Sequence, residues 1–280
     1  MKKILVPTDF SKEAGYALDA ATNLAVKTGS ELLLLHVVEG FVQGSFSTQG
    51  GTTGNLNEEV FTLKLLEKGK KDLLKLASSS KLKNINVQTN VKVGNPFHHI
   101  AKDILDHEAD LVIMGSKGTS GYKEVLIGSN TERVVRHSKC PVITIKQPTD
   151  FGQITDVVFA ADFIETEDNV AIQLKQLQNL LDAKLHLLKV DTPGNFESTR
   201  TIKKRIHNFV QRHGLENFTM EIYNESTEED GIVYFAEDID ADMIALATHG
   251  RTGLRHLISG SIAEDVVNHA QRPVWTCKVN

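Results

Sequence analysis

The sequence has little that would tie it to an oxidising compartment, a membrane or a polyanionic partner. Its 280 residues include two cysteines, Cys140 and Cys277, too few for a disulfide framework and suited to a reducing cytosol. Both read as small buried hydrophobes beside strands. The net charge is −5, without the basic excess that a broad nucleic-acid or membrane surface requires. The longest apolar runs fall far short of a membrane span. Met1-Lys2-Lys3 leads straight into a strand pattern, so no secretory leader is expected. Eleven histidines are present, yet neither H-E-x-x-H nor C-x-x-C occurs. His98 and His99 are adjacent and would not share a helix face. There is no G-x-S-x-G nucleophile elbow, and no carboxylate pair stands out as acid and base.

Against these absences stands one glycine-punctuated stretch, Gly115 to Ser129. It follows the apolar run Leu111-Val112-Ile113-Met114 and leads into a helix pattern from Thr131 to Val135. Gly115 and Gly118 let the backbone turn tightly and come close to a ligand. Gly128, Ser129 and Asn130 fall where a helix begins, and free N–H groups at such an end attract anions. Ser129 or Asn130 is expected to cap that helix. The spacing is neither a P-loop nor G-x-G-x-x-G, and the same glycines would also serve an ordinary strand-to-helix loop.

Read in order, the chain alternates strand and helix. Ile4-Leu5-Val6 stops at Pro7-Thr8-Asp9-Phe10-Ser11, and Ser11 caps a helix over 12–28 that Gly29 ends. Leu32 to Val38 is a continuous apolar strand apart from His36. A glycine-rich, uncharged stretch from Phe41 to Asn57 reads as a surface loop, or as a lid over the strand ends. A helix over 58–77, a strand over 85–93 and a helix after Gly94-Asn95-Pro96 follow. The strand over 110–114, the glycine stretch with its helix, and the strand over 142–145 complete the series. Such alternation predicts an open parallel sheet with helices on both faces and a ligand crevice beyond the carboxyl ends of the strands.

The pattern then repeats. Asp162 follows Asp9, and Val190 follows Val37, at an offset of 153; Gly260-Ser261 follows Gly128-Ser129, and Pro273 follows Pro141, at 132. The second copy is thus 21 residues shorter, a loss placed between the second and fourth strands and assigned mostly to the glycine-rich loop. The expected architecture is α/β. It comprises two Rossmann-like open five-stranded parallel sheets, covering 1–147 and 153–280, packed as a pseudo-two-fold tandem repeat.

The pieces of the first half together resemble the universal stress protein family. They are Ile4 to Ser11, Leu35-His36-Val37, Gly94-Asn95-Pro96, the glycine stretch and Cys140-Pro141-Val142. The spacing of the glycine stretch is similar to the signature of the family's ATP-binding branch. By that resemblance Pro7, Thr8 and Asp9 border the adenosine, and Val37 meets the adenine edge through its backbone. Met114 and Gly115 lie under the ribose. Lys117 and Gly118 approach the phosphates from one side, and Gly128, Ser129, Asn130 and Thr131 hold them from the helix end. The implied ligand is ATP, with AMP or ADP as alternatives and Mg2+ carried along with the nucleotide.

The second half departs from the pattern. Ala247 replaces the first glycine, Ala160 and Ala161 replace Pro7 and Thr8, and Ser226 to Asp230 replaces the Gly-x-Pro turn. Its weaker candidates are Asp162, Val190, His249, Gly250, Arg251, Gly260 and Ser261. The implied function is a cytoplasmic stress-response protein regulated by an adenine nucleotide, with no catalytic set and at most slow hydrolysis. An ATP-using transferase or slow ATPase, and a nucleotide-free interaction protein, are the alternatives. The expected partners are the adenine nucleotide and unidentified proteins, with no nucleic acid and no membrane. A homodimer beyond the intramolecular pair stays open.

Overall fold

A computed structural model describes residues 1–39, 54–117, 127–163, 168–249 and 262–279. The first half runs β1 (Lys3–Pro7), α1 (Lys12–Thr28), β2 (Glu31–Val38), α2 (Gly54–Ala77), β3 (Val87–Val93), α3 (Pro96–Asp106), β4 (Leu111–Gly115), α4 (Ser129–His137), β5 (Val142–Ile145). The second half runs β6 (Asp156–Ala160), α5 (Asp168–Leu181), β7 (Lys184–Asp191), α6 (Thr199–His213), β8 (Phe218–Asn224), α7 (Glu228–Asp238), β9 (Met243–His249), α8 (Ile262–His269), β10 (Val274–Val279).

The two five-stranded sheets are continuous with each other. The strand order is β3-β2-β1-β4-β5-β10-β9-β6-β7-β8, parallel within each half and antiparallel only between β5 and β10. At that seam Ile143 lies opposite Trp275, residues that match at the 132 offset, so the pseudo-two-fold axis passes between them. Thr144 Oγ1 donates to Val274 O at 3.3 Å and Thr276 Oγ1 donates to Val142 O at 3.4 Å, one bond being the image of the other. Duplication is also written in the backbone. Phe10 and Phe163 have φ of 63° and 55°, and Glu108 and Asp240 have 51° and 50°. A left-handed residue costs about 1–2 kcal/mol without glycine, so its recurrence at matching places reflects a shared turn.

The inner strands bury both faces, as apolar parallel strands must. On one face of the first sheet Ile4, Val6, Leu32 and Leu34 pack with α1 residues Leu18, Ala21 and Leu24. On the other, Leu5, Leu35, Val112 and Met114 pack with Ile100 and Ile104 of α3 and Val134 and Val135 of α4. Ser11 caps α1 by accepting from the Ala14 N–H, and Gly29 ends it at φ 69°. These are the residues and bounds expected from the sequence.

One expectation needs correction. Helix α2 starts at Gly54 rather than at 58, so the end of the glycine-rich stretch is helical; residues 40–53 lie outside the described residues. The second half is shortened in its connections and in its helix alike. Helix α2 has 24 residues and α6 has 15. The connection before the helix covers 39–53 against 192–198, and the one after it 78–86 against 214–217. Among the described residues, no helix is long and apolar enough to cross a membrane.

Candidate functional site

Beyond the carboxyl ends of β1, β2 and β4 lies a cavity of about 690 Å³, within the range of small-molecule sites. Pro7, Thr8 and Asp9 form one wall, Val37 a second, and Met114, Gly115 and Lys117 the floor; Gly128, Ser129, Asn130 and Thr131 close the far end. Gly118 lies outside the described residues.

The turn after β1 is held by its own short side chains. The Phe10 N–H donates to Thr8 Oγ1 at 3.1 Å, and the Ser11 N–H donates to Asp9 Oδ1 at 3.0 Å. Thr and Asp followed by a positive-φ residue form such turns because their oxygens reach the backbone two residues on.

Alternation along β2 decides what Val37 presents. The Glu31 N–H bonds to Lys2 O, and Leu35 O accepts from the Thr8 N–H, so odd-numbered peptides face β1. Leu32 and Val38 bond toward β3. The β1 register stops at Pro7 opposite Leu35. The Val37 peptide therefore points past the end of β1, and one N–H and one C=O face the cavity at strand spacing.

At the opposite end, α4 has Gly128 as its N-cap, with no side-chain cap bond. This corrects the expectation that Ser129 or Asn130 would cap: both lie inside the first turn. Asn130 reaches instead toward Glu39, at 3.5 Å. The turn is fixed to the sheet by Thr131 Oγ1 donating to Gly115 O at 3.0 Å and by the Gly128 N–H donating to Ser116 O at 2.8 Å. No side chain caps the first turn of α4, and Lys117 lines the same cavity.

Gly115 has a packing reason as well as a ligand reason. A Cβ there would sit 2.8 Å from the Glu13 carbonyl carbon and 2.9 Å from Ala14 N, so α1 begins where only a glycine fits beneath it.

Sequence reasoning missed the α2 side of the cavity. Leu65, Lys68, Gly69 and Asp72 line it, together with Phe10 and His36. His36 Nδ1 donates to Thr8 O at 2.8 Å. Its ring packs on Phe10 with centroids 4.6 Å apart. A Cβ at Gly69 would meet His36 Cδ2 at 2.7 Å, so the glycine inside α2, which costs about 1 kcal/mol of helix propensity, lets the helix reach the imidazole. A glycine inside the helical pattern, Gly69, was the available signal, but nothing in the sequence says which face of α2 meets β2.

The second half is built differently at the matching places. Lys189, in the position of His36, is 2% exposed and its Nζ lies 2.8 Å from Asp162 Oδ1. Phe163 turns inward onto Phe159 and Phe209, whereas its counterpart Phe10 is 39% exposed. Val190 is buried, and a Cβ on Gly231 of α7 would touch its Cγ1 at 2.5 Å. Strand β4 ends at Gly115, but β9 continues through Ala247 to His249, paired with Val279. Gly250, Arg251, Gly260 and Ser261 lie outside the described residues, as does the burial of His249. The acidic segment becomes the start of α7, capped by Thr227.

Other chemistry stays quiet. Burial raises the Cys140 thiol to about 11 and the Cys277 thiol to about 12, so both stay protonated at neutral pH. Among the described residues no group of three or more His, Cys, Asp or Glu side chains gathers to hold a metal ion. Lys146, at the end of β5, is lowered to about 8, first by burial and then by the nearby charge of Lys117.

Comparison with known proteins now decides the family. The model for "Universal stress protein family" matches residues 1–146 and again 154–278. This chain belongs to the universal stress protein family, as a tandem of two domains. Universal stress protein MJ0577 of Methanocaldococcus jannaschii is 35% identical over 155 residues, covering 52% of this chain and 95% of that protein. Universal stress protein Slr1230 of Synechocystis is 25% identical over 289 residues, covering 99% of each. A crystal structure of a universal stress protein from Archaeoglobus fulgidus superimposes with a TM-score of 0.74 at 23% identity, covering 99% of this chain and 98% of that one. The tandem α/β architecture of this family member is thus seen in a solved structure.

Proposed function

We propose that this universal stress protein binds ATP, or another adenine nucleotide, in its first-half crevice, one molecule per chain. The nucleotide makes it a regulator in the stress response, with little or no hydrolysis. One observation carries the reading: the two ends of a single cavity offer complementary chemistry. The Val37 peptide presents a donor and an acceptor of the kind that pairs with a purine edge. Some residues away the uncapped N-terminus of α4 and Lys117 present N–H groups and a cation to a polyanion. Asp9, beside Thr8, is read as a hydrogen-bond acceptor for the adenosine.

The described lining holds two cations, Lys68 and Lys117, and no arginine, which supports binding without rapid phosphoryl transfer. The second half is read as a weakened or empty site, because the Lys189–Asp162 pair and Phe163 occupy the ground that Phe10 and His36 leave open. Of its candidates, Asp162 is paired with Lys189 and Val190 is buried. The resemblance of the glycine stretch to the ATP-binding branch points the same way. A cytoplasmic setting, where unpaired thiols stay reduced, is part of this reading.

The test is mass spectrometry of the small molecule released from gently purified protein, with calorimetric titration of ATP. About one adenine nucleotide per chain is expected. Two per chain would overturn the reading of the second half. A folded protein that carries no nucleotide and ignores ATP would sink the proposal in favour of an interaction protein.

A further inference from the structure

Helices α4 and α8 lie beside each other across the pseudo-two-fold, and one residue of α8 reaches into the other half twice. Asn268 Oδ1 accepts from the Ile127 N–H at 2.6 Å. The backbone carbonyl of the same residue accepts from Lys146 Nζ at 2.6 Å. Ile127 immediately precedes Gly128, the N-cap of α4. Lys146 follows β5, whose Ile145 O accepts from the Ser116 N–H on the floor strand. Asn268 thus joins the two supports of the first-half anion turn, the approach to α4 and the end of β5, from the second domain.

The side-chain half of this arrangement is one-way for a chemical reason. At the 132 offset, the residue matching Asn268 is Arg136. A guanidinium has donors and no acceptor, so it cannot receive a backbone N–H as Asn268 does. Arg136 instead lies 3.7 Å from Glu264 of α8. The second half therefore supports the first half's turn without the same support being returned by that position.

We propose that Asn268 is a positioning residue for the nucleotide's phosphates, making the second domain a structural part of the first domain's site. The inference rests on the nucleotide reading above. Holding the Ile127 N–H fixes the path into Gly128 and so the aim of the Ser129, Asn130 and Thr131 N–H groups; loss of the acceptor loosens that aim. Adenosine, bound at the other end, is insensitive to it.

Two readouts on the full chain test this. Hydrogen exchange of the segment 127–131 and calorimetric affinities for ATP and adenosine are compared between wild type, Asn268→Ala and Asn268→Asp, with thermal unfolding to confirm folding. Asn268→Ala is expected to exchange faster at 127–131 and to bind ATP about fivefold more weakly, the worth of one ordinary hydrogen bond, with adenosine affinity unchanged. Asn268→Asp keeps an acceptor and restores the slow exchange. Unchanged exchange in a folded Asn268→Ala would overturn the clamp. Faster exchange with unchanged ATP affinity, or an equal loss for adenosine, would overturn the positioning role. Wild type that binds neither ligand would sink the nucleotide reading and the positioning role with it, while the exchange comparison, made without ligand, would still report separately on the clamp.

Discussion

Replacing Ser129 by proline removes one backbone N–H from the proposed phosphate end while leaving the helix able to form. Ser129 is the first residue of α4, where the N–H has no partner within the helix and proline's fixed φ is already correct. Proline also restricts the residue before it to extended backbone, and Gly128 is there, at φ −65° and ψ 139°. The variant should be as stable as wild type or gain about 0.4–1 kcal/mol through a stiffer unfolded chain, a rise of about 1–3 °C in Tm. An N–H to a charged phosphate oxygen is worth about 1.5–3 kcal/mol, so ATP affinity should fall about 10- to 150-fold. Adenosine affinity should not change. Ser129→Ala, which removes only the hydroxyl, separates side chain from backbone. Titration of ATP and adenosine into the three proteins, with thermal unfolding alongside, gives the answer. A stable Ser129→Pro protein that binds ATP as wild type does would refute the assignment of the α4 N-terminus as the phosphate end.

Gly115→Ala places a methyl group 2.8 Å from the backbone of Glu13; overpacking of this kind costs about 1–3 kcal/mol, and an unchanged midpoint in denaturant would contradict it. Asp162→Ala leaves the buried Lys189 ammonium without its carboxylate and should destabilise by about 2 kcal/mol, discounted because Asp162 is half exposed, whereas Lys189→Met should be near neutral; thermal unfolding distinguishes the two. His213, packed against Phe209, is lowered from 6.5 chiefly by burial, against the opposing pull of Asp168. A depressed folded value means its contribution is full above about pH 6.5 and is lost as pH falls below that, so His213→Gln should lose less Tm between pH 7.5 and 5.5 than wild type does.

Much of the molecule was legible along the chain because the signals are local. Apolar runs give buried strands, Ser11 and Gly29 bound α1, and the offsets of 153 and 132 expose the duplication. Strand-end position alone gathers Pro7 to Asp9, Val37 and Met114 to Lys117 around one crevice, because a parallel sheet brings all its carboxyl ends to one edge. What the sequence could not decide depends on how elements meet. It did not reveal that β5 and β10 join edge to edge, since an edge strand carries no mark of its partner. It did not reveal that α2 lays Gly69 on His36, nor that Lys189 turns inward to Asp162 instead of facing solvent as most lysines do. Nor did it show Asn268, 141 residues from Ile127, as part of the first domain's turn. Periodicity and capping fix each element from its own residues, but a hydrogen bond across a pseudo-two-fold axis exists only once both halves have folded and their edges have met.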